Sequence, residues 1–238
     1  MRKILFLSFI IIVFGSSLNS NAQLLKGIKK VFSSKSTGLT EQDAASGIKE
    51  ALIKGTSEGV QVVSKLDGYF GNPEIKIPLP SEANAMAKRL RSMGMGKQVD
   101  QAVLSLNRAA EDAAKEAKPI FVAAITNMTI TDALNIVKGK DDAATQYLQK
   151  STSPELNKKF QPIIKTSLDK VDATKYWTDL ANIYNKIPFV TKINPNLTEY
   201  VTGKAIDGLF VMIAKEELKI RKDPVARTSE ILRKVFGN

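Results

Sequence analysis

The chain has 238 residues, of which 43% are hydrophobic and 25% charged, a composition typical of a folded protein rather than a disordered one. It contains no cysteine and no histidine, which excludes disulfides, thiolate or imidazole metal sites, and Ser-His-Asp or Cys-His catalysis. The formal net charge of +11 favours anionic partners such as lipid headgroups or acidic glycans, although it also serves solubility alone.

The first 22 residues have the pattern of a cleaved secretory signal peptide. Arg2 and Lys3 precede an apolar run at 4–14, and residues 20–22 place small side chains where a signal peptidase cuts. An apolar run of this length spans about half of a ~30 Å bilayer core, so we expect no permanent anchor. The absence of cysteine at the cleavage site excludes a lipoprotein. We therefore predict a periplasmic or secreted mature chain from Gln23, with no transmembrane helix and no nucleic-acid partner.

Residues 23–39 combine a basic amphipathic segment with a flexible linker. The segment runs from Leu24 to Phe32, and residues 33–38 are rich in serine. Such a segment can make weak contact with an anionic membrane. Its short length and Gly27 equally suit a frayed terminus, so both interpretations remain open.

From Thr40 onward, apolar residues recur at helical spacing almost everywhere. The predicted helical segments are 40–66, 81–93, 97–118, 119–125, 132–138, 141–149, 153–168, 177–187, 195–222 and 228–236. We expect Ser81, Thr131 and Ser153 to cap three of them, and Pro162 to kink or split its segment. Residues 40–238 are thus predicted to form one all-α globular domain of about eight to ten helices.

Two further expectations concern segments around this helical pattern. Residues 75–80, IKIPLP, are predicted to be an extended surface loop rather than a strand, because proline removes ladder donors. The segment 195–222 is the longest one predicted. It carries only Asp207 as a charge between residues 205 and 214, so we expect it to be the buried axis of the fold.

Several strings occur in a fixed order between residues 66 and 237. They are LDGYFGNP (66–73), IKIPLP (75–80), SLNRAAEDAA (105–114), AKPIF (117–121), MTITDAL (128–134), AT (144–145), AIDGLF (205–210) and DPVART (223–228). In these strings the chain resembles a family of exported bacterial proteins, the domain of unknown function 4197 family. The resemblance implies export and a helical domain, and it brings no activity, ligand or catalytic residue.

The strongest polar cluster lies on the predicted helix 97–118. Its members are Asn107, Arg108, Glu111, Asp112, Lys115 and Glu116. Arg108 and Asp112 are four residues apart, as are Glu111 and Lys115, so each pair lies on neighbouring turns. Three interpretations remain open: a solvated salt-bridged face, a structural polar network, or a pair of catalytic carboxylates drawn from Glu111, Asp112 and Asp207.

The polar-network interpretation gives Asp207 a specific partner. A carboxylate on a buried axis helix needs a cation or hydrogen-bond donors. We therefore hypothesise that Arg108 pairs with Asp207. Tyr69 and Phe70 stand between glycines in a loop, where they can contact a ligand or fill the helical core.

No motif specifies a reaction or a bound group. Asp141 and Asp142 lack the spacing of an EF-hand loop, so we predict no metal site and no cofactor, and we name no catalytic residue.

The leading functional hypothesis is a non-catalytic binding or interaction module of the bacterial envelope. Its partner would be an apolar or amphiphilic ligand between helices, or another envelope protein. The alternatives are a carboxylate-dependent hydrolase of an envelope polymer and a peripheral protein on anionic membrane. An apolar cavity would favour the first, and two carboxylates across a cleft would favour the hydrolase.

Overall fold

The structure is a computed structural model that describes residues 40–170, 172–194 and 196–223, together with residue 233. The predicted signal peptide and residues 23–39 lie outside the described residues, as does the predicted segment 228–236 except for Arg233, which is helical. The helices are α1 Glu41–Val63, α2 Asn84–Ser92, α3 Gly96–Ala114, α4 Ala117–Thr126, α5 Ile130–Lys138, α6 Ala143–Lys170, α7 Ala173–Asn185 and α8 Thr198–Lys222, with a short 3-10 helix at Ser81–Ala83.

The all-α prediction is confirmed, since the described ranges contain eight α-helices and no strand. The helices bury one continuous apolar core. Within it α8 packs against α1 and α6 and touches α3, so it occupies the central position expected of it. One side of α8 nevertheless faces solvent, and Asp207 lies on that side.

The long helix α6 corrects three expectations. The segments predicted at 141–149 and 153–168 form one continuous helix of 28 residues, which is longer than the 25 residues of α8. Pro154 and Pro162 lie inside α6, and neither splits it. Both prolines are exposed, while a stripe of apolar residues (Leu148, Leu156, Phe160, Ile164 and Leu168) is buried on the core side. Each proline costs about 3 kcal/mol, and burying each large apolar side chain returns about 1.5–3 kcal/mol.

The caps also differ from the sequence-based expectation. The hydroxyl of Thr129, rather than that of Thr131, accepts the N–H of Asp132 at 3.1 Å, and the Asp132 carboxylate accepts the N–H of Thr129. This reciprocal pair is a capping box, which needs the acid three residues after the cap and therefore selects Thr129. The Thr129 hydrogen bonds lower the pKa of Asp132. Ser81 makes no cap bond, and Ser153 donates to the carbonyl of Gln149 inside α6.

A pair of acidic residues lies between α1 and α8. Glu58 lies close to Glu216, with Lys54 3.7 Å from Glu58 and Lys219 3.4 Å from Glu216. Burial, reinforced by the interaction with Glu58, raises the pKa of Glu216. Ionising Glu216 therefore costs folding stability. That cost is absent below its unfolded pKa of about 4.3 and is complete once the pH exceeds the raised folded value.

Glu58→Gln is therefore expected to stabilise the protein at pH 7 by about 0.5 kcal/mol, because it removes a like charge that solvent only partly screens. The gain should disappear near pH 4, where Glu216 is protonated in both variants. Urea unfolding at the two pH values measures it. Glu50→Gln, on the exposed side of α1, serves as the control. An equal gain at both pH values would show that the like charge is not its source.

Candidate functional site

The polar cluster of α3 fastens the loop that follows α1. Glu111 is buried, and its Oε1 accepts the backbone N–H groups of Tyr69 and Phe70, both at 3.1 Å. Its Oε2 accepts a hydrogen bond from Nη1 of Arg108 at 2.6 Å. Backbone donors and a guanidinium together satisfy both oxygens. Glu111 of α3 thus binds the loop that contains Tyr69 and Phe70.

Arg108 extends the same contact toward the solvent. Its Nη2 donates to Asp67 Oδ1 at 2.8 Å. The backbone of Asp67 has a φ of +63°, in the left-handed region. The ring of Phe70 lies between two cations, with Lys76 Nζ 3.9 Å and the Arg108 guanidinium carbon 5.8 Å from its centroid. Both distances allow attraction to the ring face. Phe70 is half-buried and remains accessible at the surface.

Asn107 fastens the proline-rich strip. Its side chain accepts the N–H of Ile77 and donates to the Ile77 carbonyl, both at 2.8 Å, and it also donates to Val103 of its own helix. The strip is extended and forms no strand, as predicted. It is not a simple surface loop, because Ile75, Ile77 and Leu79 are buried. The asparagine supplies the backbone pairing that a neighbouring strand would otherwise give.

Tyr69 fills the core rather than contacting a ligand. It is fully buried, and its hydroxyl donates to the carbonyl of Ala205 in α8 at 2.7 Å. Burial, with a smaller contribution from the charge of Glu111, raises the pKa of Tyr69. The ring lies so close to α8 that a Cβ at Gly208 would approach Tyr69 Cε1 to 2.7 Å. Glycine at position 208 therefore permits the close approach of this loop to α8.

The proposed pair of Arg108 with Asp207 is wrong. The Asp207 side chain is 65% exposed, and the nearby cation is Lys204 Nζ at 3.9 Å. The buried residues of α8 include Ala205, Ile206 and Leu209, and position 207 projects from the opposite side of the helix. Its carboxylate is hydrated, so it requires no buried cation.

Asp112 does not join Asn107, Arg108 and Glu111 at the loop, because its side chain contacts α6. Its Oδ1 accepts Lys115 Nζ at 2.6 Å, while Oδ2 accepts the Ser167 hydroxyl at 3.0 Å and lies 3.4 Å from Lys170 Nζ. The hydrogen bond from Lys115, followed by that from Ser167, keeps the pKa of Asp112 below its usual range. Of the network candidates Asn107, Arg108, Glu111, Asp112 and Asp207, only the first three meet at the loop.

A second buried network, absent from the sequence predictions, is centred on Glu217 of α8. Its Oε1 accepts the N–H of Ala144 at 2.9 Å, and its Oε2 accepts both the N–H and the hydroxyl of Thr145 at 2.8 Å. These N–H groups belong to the first turn of α6, where the helix dipole favours a negative charge. Glu217 therefore acts as a cap supplied by a distant helix.

Arg221 completes this second network. It donates to Glu217 Oε1 through Nε at 2.9 Å and through Nη2 at 2.7 Å, and Nη2 also donates to the carbonyl of Ile136 in the last turn of α5. One ion pair thereby joins the end of α5, the start of α6 and the side of α8. The sequence signal for it is a Glu and an Arg four residues apart, which on its own is equally typical of an exposed helix face.

An apolar cavity lies beside this ion pair, between α1, α5, α6 and α8. Its volume is about 20 Å³, and its lining includes Ile48, Leu52, Ile213 and Ile220. A cavity of that size holds about one water molecule. Ligand pockets for small molecules are usually about 300–1,000 Å³. The cavity therefore does not accommodate a lipid or a comparable apolar ligand.

Larger concavities lie open on the surface, on either side of Pro162. A groove of about 350 Å³ runs between α3 and α6 and is lined by Asp112, Lys115, Glu116, Pro162, Ser167 and Lys170, among others. A second groove, of about 610 Å³, lies between α6, α7 and the start of α8, with Lys165, Asp169, Thr174 and Thr178 in its lining. Both grooves mix ammonium, carboxylate and hydroxyl groups.

Comparison with known proteins assigns the chain to a family. The model of the family described as protein of unknown function (DUF4197) matches residues 38–237. The chain belongs to the DUF4197 family. No curated protein and no solved structure matches it.

Four of the strings that carried the DUF4197 resemblance meet in space. LDGYFGNP and IKIPLP are the loop and strip that Asn107, Arg108 and Glu111 of SLNRAAEDAA hold. AIDGLF supplies the carbonyl that accepts the Tyr69 hydroxyl, and the AT pair at 144–145 supplies the donors for Glu217. These five strings thus take part in tertiary contacts of this DUF4197 domain.

The described part of this DUF4197 chain offers neither a cluster for a metal ion nor a single helix that could span a membrane. Within it, no group of three or more acidic side chains is placed to hold a metal ion. No single helix there has both the length and the apolarity to cross a bilayer. Only α4 and α5 taken together meet those criteria, and the two helices are bent by 103° relative to each other.

Proposed function

We propose that this DUF4197 protein is an exported, non-catalytic interaction module of the bacterial envelope, and that it binds its partner on its outer surface. The proposal rests on the hydrogen-bond partners of the two buried carboxylates among the described residues. Glu111 and Glu217 each bind backbone N–H groups and an arginine. A general acid or base must instead reach a proton of the substrate. These carboxylates hold the fold.

The location of the binding surface follows from the sizes of the concavities. The cavity between α1, α5, α6 and α8 has room for about one water, so an apolar ligand between helices gains no support there. The grooves beside Pro162 are larger, and their linings carry both signs of charge among apolar surface. Such a lining suits the polar surface of another envelope protein. Export is supported by the signal-peptide pattern of residues 1–22.

The hydrolase alternative would draw on Asp112 and Glu116, which line the same groove. An acid catalyst needs a raised pKa, so that it carries its proton at neutral pH. The pKa of Asp112 is instead lowered, chiefly by Lys115. Asp112 is therefore ionised and bound to Lys115, Ser167 and Lys170, which suits a role in joining α3 to α6.

An assay on envelope polymer separates these two functions. We expect residues 23–238 to release no soluble fragments from purified cell-wall sacculi, and Asp112→Asn to behave like the wild type. Loss of a general acid or base typically costs 10²–10⁴-fold in rate. Polymer cleavage that falls by about 100-fold in Asp112→Asn, with an unchanged melting temperature, would establish the hydrolase instead. Asp100→Asn, which alters an exposed ion pair with Arg91, is the matched control.

Partner binding is tested in the producing cells. The protein recovered from the envelope fraction should begin at Gln23, and in-cell crosslinking followed by mass spectrometry should give one defined heteromeric species. Thr166→Arg, placed in the groove between α3 and α6, should reduce that species, whereas Lys140→Glu, after α5, should not. A retained signal segment would contradict export. Crosslinking that Thr166→Arg leaves intact would contradict the proposed surface.

A further inference from the structure

An exposed aromatic residue stands at the tip of the loop between α7 and α8. Phe189 has a relative exposure of 108%, so its ring touches almost nothing in the fold. Its φ of +63° lies in the left-handed region, which a bulky side chain rarely adopts. Neither the backbone conformation nor the burial of the ring contributes to stability. The residue is thus placed where folding gains nothing from a phenylalanine.

The base of this loop is firmly held. The Asn185 side chain accepts the N–H of Ile193 at 2.9 Å and donates to the Ile193 carbonyl at 3.1 Å. These two hydrogen bonds join the two ends of the loop. Trp177 Nε1 donates to the carbonyl of Asn194 at 3.0 Å. Ile187 and Val190, on either side of the tip, pack against the core. Phe189 therefore projects from a fixed platform.

Along the chain, the charges nearest the tip are both positive. Residues 186–192 read KIPFVTK, with Lys186 and Lys192 each three residues from Phe189. Both lysines are exposed. The nearest acidic residues along the chain are Asp179 and Glu199. An apolar ring flanked by two cations matches the boundary of an anionic bilayer, where rings enter the acyl region and lysines meet the phosphates.

We propose that residues 186–192 form a membrane-contacting tip, in which Phe189 inserts into an anionic lipid surface while Lys186 and Lys192 bind the lipid phosphates. The inference rests on the proposed envelope function, because only an exported module would meet this lipid surface. It differs from the contact suggested for residues 24–32, because it uses a loop whose base is built into the helical domain.

Vesicle co-sedimentation tests the proposal on the mature chain, residues 23–238. We expect binding to phosphatidylcholine vesicles that contain about one third phosphatidylglycerol, weaker binding to pure phosphatidylcholine, and a decrease with salt as screening increases. Phe189→Asn should reduce binding at least fivefold without loss of folding, because asparagine tolerates the left-handed conformation. Lys186→Gln together with Lys192→Gln should reduce it about 25-fold, since each cation near the surface accounts for about fivefold.

Matched controls exist elsewhere in the chain. Leu66→Ser removes another exposed apolar side chain, which is 75% exposed, and Lys138→Gln with Lys140→Gln removes two exposed charges near the end of α5. Both should bind like the wild type. If they lose as much binding as the loop variants, or if Phe189→Asn loses none, the tip is not the contact. Binding that persists in Phe189→Asn would point to residues 24–32 and overturn the proposal.

Fluorescence gives a second, direct readout. Trp177, the one native tryptophan, is buried, so wild-type emission should not move when vesicles are added. Phe189→Trp should show a blue shift with anionic vesicles, and no shift would overturn the proposal. A change of oligomeric state in Phe189→Asn without lipid would also overturn it, in favour of an interface between copies. Absence of lipid binding together with a crosslinked protein partner would refute only this inference and leave the proposed function standing.

Discussion

Glu217→Ala is expected to lower the free energy of unfolding by about 3–5 kcal/mol, the typical result of removing one partner of a buried ion pair. The substitution removes the carboxylate that neutralises Arg221, and it takes away the acceptor for the first-turn N–H groups of α6 at Ala144 and Thr145. For a domain of this size the melting temperature should fall by about 6–20 °C. Urea unfolding followed by circular dichroism measures the change.

Two further variants, one intermediate and one control, show whether the loss comes from the capping role of Glu217. Glu217→Gln keeps an oxygen acceptor for one N–H group but loses the charge, so its loss should be intermediate. Glu155→Ala removes an exposed carboxylate on α6 that pairs with Lys159 and should leave stability unchanged within error. If Glu217→Ala were no more harmful than Glu155→Ala, then Glu217 would not be a cap for α6.

Glu111→Ala is expected to cost about 3 kcal/mol, because two backbone N–H groups of the buried loop lose their acceptor and Arg108 loses its closer carboxylate. Arg108→Ala should cost only about 1 kcal/mol, since its side chain is 25% exposed whereas that of Glu111 is 5% exposed. The double variant should lose less than the sum of the two. Hydrogen exchange should show the N–H groups of Tyr69 and Phe70 losing protection in Glu111→Ala.

Asp207→Ala is the control for this series. Its carboxylate is hydrated and 3.9 Å from Lys204, so unfolding and loop protection should both match the wild type. Destabilisation in Asp207→Ala that vanished on an Arg108→Ala background would restore the rejected pair. Uniform loss of protection across all helices in Glu111→Ala, rather than loss concentrated at residues 64–80, would show that Glu111 does not act through the loop.

The helical pattern predicted the fold class and most helix positions, but it could not predict what covers each helix face. The spacing of residues 107–112 correctly placed Asn107, Arg108 and Glu111 on neighbouring turns. It suggested Arg108 with Asp112, whereas the structure pairs Arg108 with Glu111 and Asp67. The partner loop lies some 40 residues earlier in the chain. Helical periodicity carries no information about contacts over that distance.

The other differences have the same physical origin. Proline in α6 is unfavourable locally, and only the burial of its core stripe makes the helix continuous. Glu217 and Arg221 have a spacing that is common on solvated helices, and only the neighbouring ends of α5 and α6 turn them into a buried pair. Phe189 gives no periodic signal, since its exposure depends on how Asn185 closes the loop.

The helix α8 supplies partners to parts of the chain made much earlier. Its Ala205 carbonyl accepts the hydroxyl of Tyr69 from 136 residues upstream, and Glu217 accepts the N–H of Ala144 from 73 residues upstream. During synthesis both donors leave the ribosome long before their acceptors exist. A nascent chain that ends before Thr198 therefore lacks the Ala205 carbonyl that accepts the Tyr69 hydroxyl and the Glu217 carboxylate that caps the start of α6. The full set of tertiary contacts therefore forms only after α8 has been made.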